Sequence, residues 1–445
     1  MKRLPPKHLS FGDNAAQSLS LAWYAQRRPV FTGGNQVQLL RGGRELFPAM
    51  VQAIDQAQDS VWLANYLTGP GGQADLVFQA LTRAAQRGVA VQVVMDGVGS
   101  REVPSAFWQA LRDEGIDVAI YRPVQGWLSA LKRGNWRRMH LKLCVVDEDL
   151  GFVGGINLID DHNDLAQGWS GQPRLDYAVQ VRGTVATPVQ HTIRAMWTRA
   201  TLGKDWRDEL IDWVKVPGRT KRLRRVWQQA RLRLPPAEQG QISASAGIRQ
   251  PMRCAFVLRD NLRQRRTIER AALQAIQQAR SHVDIVTPYF YPGRAMRRAL
   301  RHAADRGVRV RLLLQGKVDY RIAAMAARAL YDELQRHGVR IFEYQAAWLH
   351  AKVMCVDDEW ATVGSSNLDP LSMLVNLEGN LIVRDRAFAK TLAASLARDF
   401  ADGVEVLPAH AQGQSRSARW LRGALNWVAK VYLRMAGVAR RDWRD

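Results

Sequence analysis

Two stretches of the chain carry the same reactive side chains at the same spacing. Met139 to Asn157 reads MHLKLCVVDEDLGFVGGIN, and Leu349 to Asn367 reads LHAKVMCVDDEWATVGSSN. In each, a His is followed two residues later by Lys, seven by Asp and seventeen by Asn. The first set is His140, Lys142, Asp147 and Asn157, and the second is His350, Lys352, Asp357 and Asn367. An imidazole can attack an electrophile or carry a proton, while lysine and asparagine can hold an anion. Together they suit substitution at a phosphodiester, whose own charge repels nucleophiles. Two lysines and two asparagines would donate to it, most strongly as charge grows in the pentacoordinate transition state. Such chemistry requires no metal and no other cofactor.

Strand geometry explains the spacing. Alternate side chains on a strand share a face, so His140 and Lys142 point one way while Leu141 and Leu143 point the other. His350 and Lys352 behave alike. Each run passes through an acidic turn, Asp147-Glu148-Asp149 or Asp357-Asp358-Glu359, into a second apolar segment, Leu150 to Val153 or Trp360 to Val363. This reads as a hairpin. Gly154-Gly155 and Gly364-Ser365-Ser366 then return the backbone beside the His and Lys, where a small oxyanion fits. Gly155 stands where the second copy has Ser365, so a hydroxyl donor to phosphate is expected on one side only. Asp147 and Asp357 fall in the turns, away from the His-Lys face, and are expected to cap those turns or pair with Arg.

The HxKxxxxD pattern with its downstream GGxN or GSxN resembles the signature of the phospholipase D superfamily, whose lipid-acting members typically carry two copies. The resemblance runs from about Phe31 to about Val406. Phe31-Thr-Gly-Gly-Asn35, Arg174-Leu-Asp-Tyr-Ala178, Tyr289-Phe-Tyr-Pro-Gly293 and Ala361 to Leu371 look like bacterial cardiolipin synthases, closest to the B type. It implies a phosphohistidine intermediate, with His140 as nucleophile and His350 as acid and base; pseudo-symmetry leaves the reverse order open. It also implies an acidic residue downstream of each motif to orient a His. The matching positions are Asp176 in Leu-Asp-Tyr-Ala and Glu378 in Asn-Leu-Glu-Gly. An insertion, Ile159 to Arg174, carries Asp160, Asp161 and His162 and makes Asp176 the less direct match.

The elements around the motifs repeat as well. A helical pattern from Glu45 to Gln58, a strand Ser60 to Leu67, a helix Ala74 to Gln86, a strand Val89 to Met95, a helix Ser105 to Glu114 and a strand Val118 to Tyr121 precede the first motif. Helix Ile268 to Arg280, strand Val283 to Thr287, helix Arg294 to Asp305, strand Val308 to Leu314, helix Ile322 to His337 and strand Val339 to Tyr344 precede the second. Gln52-Ala-Ile-Asp-Gln-Ala57 mirrors Gln274-Ala-Ile-Gln-Gln-Ala279. The spacing predicts an α/β fold of two pseudo-symmetric α-β-α halves with mixed sheets, each covered on both faces. One motif is half a site, so one active site is expected at the interface. The expected divisions are a polar arm at 1–30, a first half at 31–214, a basic linker at 215–251, a second half at 252–405 and a basic amphipathic tail at 406–445.

With 64 Lys and Arg against 41 Asp and Glu, the formal charge is +23, which calls for an anionic partner: nucleic acid or an anionic lipid surface. Gly126 to Arg138 mixes Trp127, Leu128, Leu131 and Trp136 with Lys132, Arg133, Arg137 and Arg138, the composition of an acyl-chain mouth beside an anionic head group, or of an exposed loop. Trp420 to Arg441 has helical spacing with Trp420, Trp427 and Tyr432, and suits either an interfacial anchor or a helix docked on the body. Three cysteines, Cys144, Cys254 and Cys355, form no disulfide or zinc pattern and read as small buried hydrophobes. Met1 to Phe11 lacks a signal-peptide core, and no uncharged apolar run reaches the ~20 residues of a spanning helix. These features, with the resemblance, point to phosphatidylglycerol, with phosphatidylethanolamine as a further candidate, handled at the cytoplasmic side of the cell membrane by a peripheral protein. Transfer between lipids, hydrolysis to phosphatidic acid, a nuclease of the same superfamily and a non-catalytic membrane binder are the alternatives. Nucleic acid is not the expected partner, and the oligomeric state is left open.

Overall fold

The computed structural model describes residues 28–69, 71–123, 137–164, 168–202, 252–260, 264–290, 292–317, 330–367 and 376–408. The linker at 215–251, nearly all of the arm and tail, and the Trp-rich stretch up to Trp136 lie outside them.

The first half runs β1 (Thr32–Arg41), α1 (Gly43–Asp55), β2 (Ser60–Asn65), α2 (Ala74–Gln86), β3 (Ala90–Asp96), α3 (Ser105–Asp113), β4 (Asp117–Tyr121), β5 (Lys142–Val146), β6 (Leu150–Gly154), a short hairpin β7 (Asn163–Asp164) and β8 (Gly168–Trp169), β9 (Tyr177–Arg182) and α4 (Ala186–Leu202). The second runs β10 (Met252–Arg259), α5 (Thr267–Gln278), β11 (His282–Val286), α6 (Arg294–Asp305), β12 (Arg309–Gln315), β13 (Arg340–Tyr344), β14 (Val353–Val356), β15 (Trp360–Gly364), β16 (Glu378–Arg384), α7 (Arg386–Ala401) and β17 (Gly403–Glu405). Helix α6 shows why these segments form: Met296, Ala299, Leu300 and Ala303 make a buried stripe at helical spacing, and arginines fill the open face. In β3, Val93, Val94 and Met95 are all buried, as in a parallel strand covered on both faces.

The two sheets do not merely pack. They join edge to edge into one sheet of 15 strands, ordered β17-β13-β12-β11-β14-β15-β16-β10-β1-β9-β6-β5-β2-β3-β4. About the β1–β10 seam the order is a palindrome, apart from β17. Antiparallel pairing places Thr32 against Cys254 and Asn35 against Met252, with an irregularity between them. Asn35 bridges the seam by donating to the Met252 carbonyl at 3.2 Å.

Each half has its own outer core, built on α1 and α2 in the first and on α5 and α6 in the second. A third core is shared: Val189, Ile193 and Met196 of α4 and Leu392, Leu396 and Phe400 of α7 lie in one cluster with Leu141 and Leu349. Tyr177 locks the halves here, donating to Asp399 at 2.5 Å and lying 2.7 Å from the Ser395 hydroxyl, while Arg41 pairs with Asp399 at 2.7 Å. Burying a side chain such as Ile193 or Leu392 completely contributes about 1.5–3 kcal/mol each. The three cysteines are free and buried.

Candidate active site

The segments that lead into β5 and β14 meet across the two halves. His140 N–H donates to the Leu377 carbonyl at 3.0 Å, and Leu377 N–H to the Arg138 carbonyl at 2.9 Å. In mirror fashion, Leu175 N–H donates to the Trp348 carbonyl and His350 N–H to the Leu175 carbonyl, both at 2.8 Å. Leu377 and Leu175 are the residues just before Glu378 and Asp176. The backbone thus presses each His against a carboxylate of the opposite half: His140 Nδ1 is 3.0 Å from Glu378 Oε2, and His350 Nδ1 is 2.6 Å from Asp176 Oδ2. With Nδ1 held in this way, Nε2 is the ring atom left for chemistry.

Lys142 and Lys352 stand one strand step beyond, and each ammonium donates to the carbonyl of its own His, Lys142 at 3.3 Å. Both lysines are buried. Burial and the neighbouring Lys352 charge lower the Lys142 ammonium to about 7. Burial also lowers both imidazoles, and the two lysines push His350 further down. The carboxylates differ: burial raises Asp176 to about 7, whereas for Glu378 the effect of burial is outweighed by His140 and Arg259, so that Glu378 is held below its ordinary value. An anion placed among these cations would relieve all of them at once.

Several residues absent from the sequence reading complete the site. The Tyr66 ring lies 4.8 Å from the His140 ring, edge on, and 5.1 Å from the Lys142 ammonium. Arg259, 2% exposed at the end of an apolar strand, donates to Ser366 and lies 3.8 Å from Glu378. Asp96 accepts from Met139 N–H at 2.8 Å and pairs with Arg138 at 2.9 Å, which fixes the backbone just before His140. An arginine ending a buried strand was the one signal in the sequence; Tyr66 gave none.

Ser365 is turned toward Glu378. Its hydroxyl donates to Glu378 Oε2 at 2.6 Å and accepts from Gly379 N–H at 3.1 Å, which gives it a role in holding the carboxylate. Gly155 has a steric reason to be glycine: a Cβ there would lie 2.3 Å from Asp176 Oδ1. The halves therefore differ in how they hold their carboxylates. Asn157 and Asn367 are buried just after β6 and β15, and the Asn157 side-chain oxygen has no hydrogen-bond partner among the described residues.

Asp147 and Asp357 are placed in the hairpin turns, away from the imidazoles. Asp147 accepts from the N–H groups of Gln58, Asp59 and Ser60, and Asp357 from those of Arg280, Ser281 and His282, at 2.7 to 3.0 Å. Both have positive φ, 48° and 53°, a conformation aspartate tolerates better than most residues. The insertion is likewise occupied with structure: Asp161 accepts from Gly43 N–H, Asp160 from His162 N–H, and His162 stacks on Trp169.

Comparison with known proteins agrees with this arrangement. A family profile described as the cardiolipin synthase, PLD-like domain matches residues 50–167 and 272–400, one segment in each half. The chain belongs to the cardiolipin synthase family. Within that family, cardiolipin synthase B of Salmonella typhi is 38% identical over 363 residues, 82% of this chain and 80% of the relative. The Escherichia coli K12 cardiolipin synthase B is 36% identical over the same shares. Cardiolipin synthase A of Pseudomonas putida KT2440 is 32% identical over 382 residues, 86% of this chain and 72% of the relative. In fold, the family member is similar to the crystal structure of phosphatidylserine synthase from Haemophilus influenzae Rd KW20, with TM-score 0.58 at 15% identity, covering 94% of this chain and 97% of the other.

Proposed function

We propose that the protein is a cardiolipin synthase that moves a phosphatidyl group from one phosphatidylglycerol to the hydroxyl of another and releases glycerol. The observation that carries this reading is the pair of imidazoles, each fixed at Nδ1 by a carboxylate of the opposite half, beside two buried lysines. His140 Nε2 attacks phosphorus, the phosphorus–oxygen bond to glycerol breaks, and protonated His350 gives its proton to that oxygen. The hydroxyl of the second phosphatidylglycerol then returns a proton to His350 as it attacks, and the phosphorus–nitrogen bond breaks. The division of labour follows exposure: the His350 side chain is 26% exposed and can meet alcohols and solvent, against 12% for His140. Lys142 and Lys352 hold the phosphate oxygens, with Asn157 and Asn367 as further donors.

The substrate is reached from a membrane surface. A formal charge of +23 favours an anionic leaflet, and among the described residues no helix is long and apolar enough to cross a membrane. Peripheral attachment on the cytoplasmic side, with phosphatidylethanolamine as a second acceptor or donor, belongs to the same reading. The test is mass spectrometry of lipids after purified protein meets phosphatidylglycerol vesicles. Cardiolipin and glycerol in equal amounts, absent with His140→Ala, are expected; phosphatidic acid as the product would make the protein a hydrolase.

A further inference from the structure

Away from the reaction centre, three side chains with metal-binding atoms converge at the far end of β14. A ring nitrogen of His282 on β11, the Cys355 sulfur on β14 and a carboxylate oxygen of Asp358 in the β14–β15 turn lie within 4.8 Å of one another. Among the described residues this is the one such group. His282 and Cys355 are far apart in sequence, so no spacing announces it. The positions that match by strand register and motif in the first half are Ser60, Val145 and Glu148, which offer neither a ring nitrogen nor a sulfur. The cluster therefore belongs to the second half alone and not to the repeated fold.

The hydrogen bonds around His282 fix which nitrogen is open. Ser281 Oγ donates its proton to Asp357 Oδ1 at 2.9 Å, so at 3.2 Å from His282 Nδ1 it can only accept. Nδ1 therefore carries the ring proton, and the neutral ring turns a lone pair out at Nε2. That atom is buried and makes no hydrogen bond among the described residues, yet it stands 3.4 Å from Asp358 Oδ1, an acceptor facing an acceptor. An imidazolium donating to the carboxylate would close to about 2.7–2.9 Å. Two ligands each about 2.1 Å from a tetrahedral zinc stand about 3.4 Å apart. The third donor is close by. Cys355 Sγ makes a weak bond to the Ala389 carbonyl at 3.5 Å, and the Asp358 N–H faces the same sulfur. Asp284, the cross-strand neighbour of Cys355, is taken by Arg311 through two bonds at 2.7 Å. One imidazole nitrogen, one sulfur and one carboxylate oxygen suit zinc, whereas magnesium and calcium favour oxygen alone.

We propose that His282 Nε2, Cys355 Sγ and Asp358 Oδ1 bind one zinc ion, with water in the fourth position. Cys355 releases its thiol proton to solvent as the sulfur–zinc bond forms. To complete the set, the sulfur has only to stand about 3.6 Å from the nitrogen. The Asp358 side chain is 40% exposed against 10% for His282, which gives the ion its way in. Such an ion fastens β11 to β14 and to the turn, about 10 Å along β14 from Lys352. It takes no part in the transfer, and the site stands whether or not that reaction is the right one.

The test is titration of the full chain with cobalt(II), after chelator has stripped it of metal, followed by optical absorption. One cobalt per chain should bind with the ligand-field bands of a four-coordinate ion and a thiolate-to-cobalt charge-transfer band, and zinc should displace it. Among the described residues neither Cys144 nor Cys254 belongs to such a cluster, so the band reports on Cys355. Cys355→Ser should abolish it. His282→Gln and Asp358→Asn should each weaken cobalt binding at least tenfold, and asparagine tolerates the positive φ of 50° at position 358 as well as aspartate does, so folding is not at stake there. Zinc should raise the melting temperature of the wild type and of none of the three variants. Cobalt that does not bind, that binds without the charge-transfer band, or that keeps the band in Cys355→Ser overturns the proposal. So does an affinity unchanged in both His282→Gln and Asp358→Asn, which would make Cys355 an adventitious thiol only.

Discussion

His140 Nδ1 lies 3.0 Å from Glu378 Oε2, although 238 residues and the whole seam between the halves separate them in sequence. The mirror contact joins His350 to Asp176 at 2.6 Å. Neither motif histidine finds its carboxylate in its own half, so the reaction centre exists only when the halves are docked. Glu378→Gln keeps the shape and removes the charge that fixes the His140 tautomer. By analogy with orienting carboxylates in other His-dependent sites, kcat should fall by about 10²- to 10⁴-fold, with little change in KM. An unchanged kcat would show that the contact is structural.

The commitment of Ser365 to Glu378 separates two roles. Ser365→Ala removes a hydrogen bond to a charged group, worth about 1.5–3 kcal/mol, and should lower kcat roughly ten- to hundred-fold while KM holds. A hydroxyl bound to the substrate phosphate would raise KM instead. Gly155→Ala should be more harmful than its size suggests, because the new Cβ would meet Asp176 Oδ1 at 2.3 Å and displace the partner of His350. Kinetics of the two variants side by side decide the matter.

Asp147 and Asp357 should report on stability rather than on chemistry. Each accepts three backbone N–H groups from the entry to the neighbouring strand. Although burial pushes both carboxyls up, these bonds outweigh it and hold them below the ordinary range. The contribution is therefore present above the unfolded pKa near 4 and is lost as pH falls through the folded value. Asp147→Ala should cost about 1–3 kcal/mol at neutral pH, with near-normal kcat in the folded protein. A kcat loss of a hundred-fold without destabilisation would place Asp147 in the reaction.

Lys142 offers a pH test with a definite sign. Burial and Lys352 lower its ammonium to about 7, below its unfolded value near 10.4. Between these two values the unfolded chain binds the extra proton, so stability rises with pH across that window relative to Lys142→Met. Thermal melts of the two proteins from about pH 7 to pH 10 should diverge in favour of the wild type, measured against their difference at pH 6. Inorganic phosphate should raise the wild-type melting temperature more than that of Lys142→Met, since an anion restores the buried charge.

Much of this was legible in the residues, and the rest was hidden for physical reasons. Helix α6 and strands β2 and β3 declare themselves by period and match the expected bounds within two residues. The seam strands did not. In β1, TGGNQVQLLR, only Asn35, Val37 and Leu40 are buried, and its opening glycines weaken any strand signal. Helices α4 and α7 were missed because both pack into the shared core and carry apolar residues on more than one face. Asp176 and Glu378 were found by position. The exchange of each to the opposite half's imidazole is a tertiary fact, as is the turn of the Ser365 hydroxyl toward Glu378. No spacing along one chain encodes either.

The most direct test of a histidine-borne transfer is to trap the intermediate. In the wild-type protein, quenching with denaturant soon after mixing should catch the phosphatidyl group on the nucleophile before the second lipid removes it. After brief incubation with phosphatidylglycerol, trypsin would release Met139 to Lys142 as one peptide and Ile341 to Lys352 as another. The expected result is an acid-labile phosphatidyl adduct on His140 in the first peptide, lost when His140 is replaced. An adduct on neither peptide, or one that survives His140→Ala, would contradict the account.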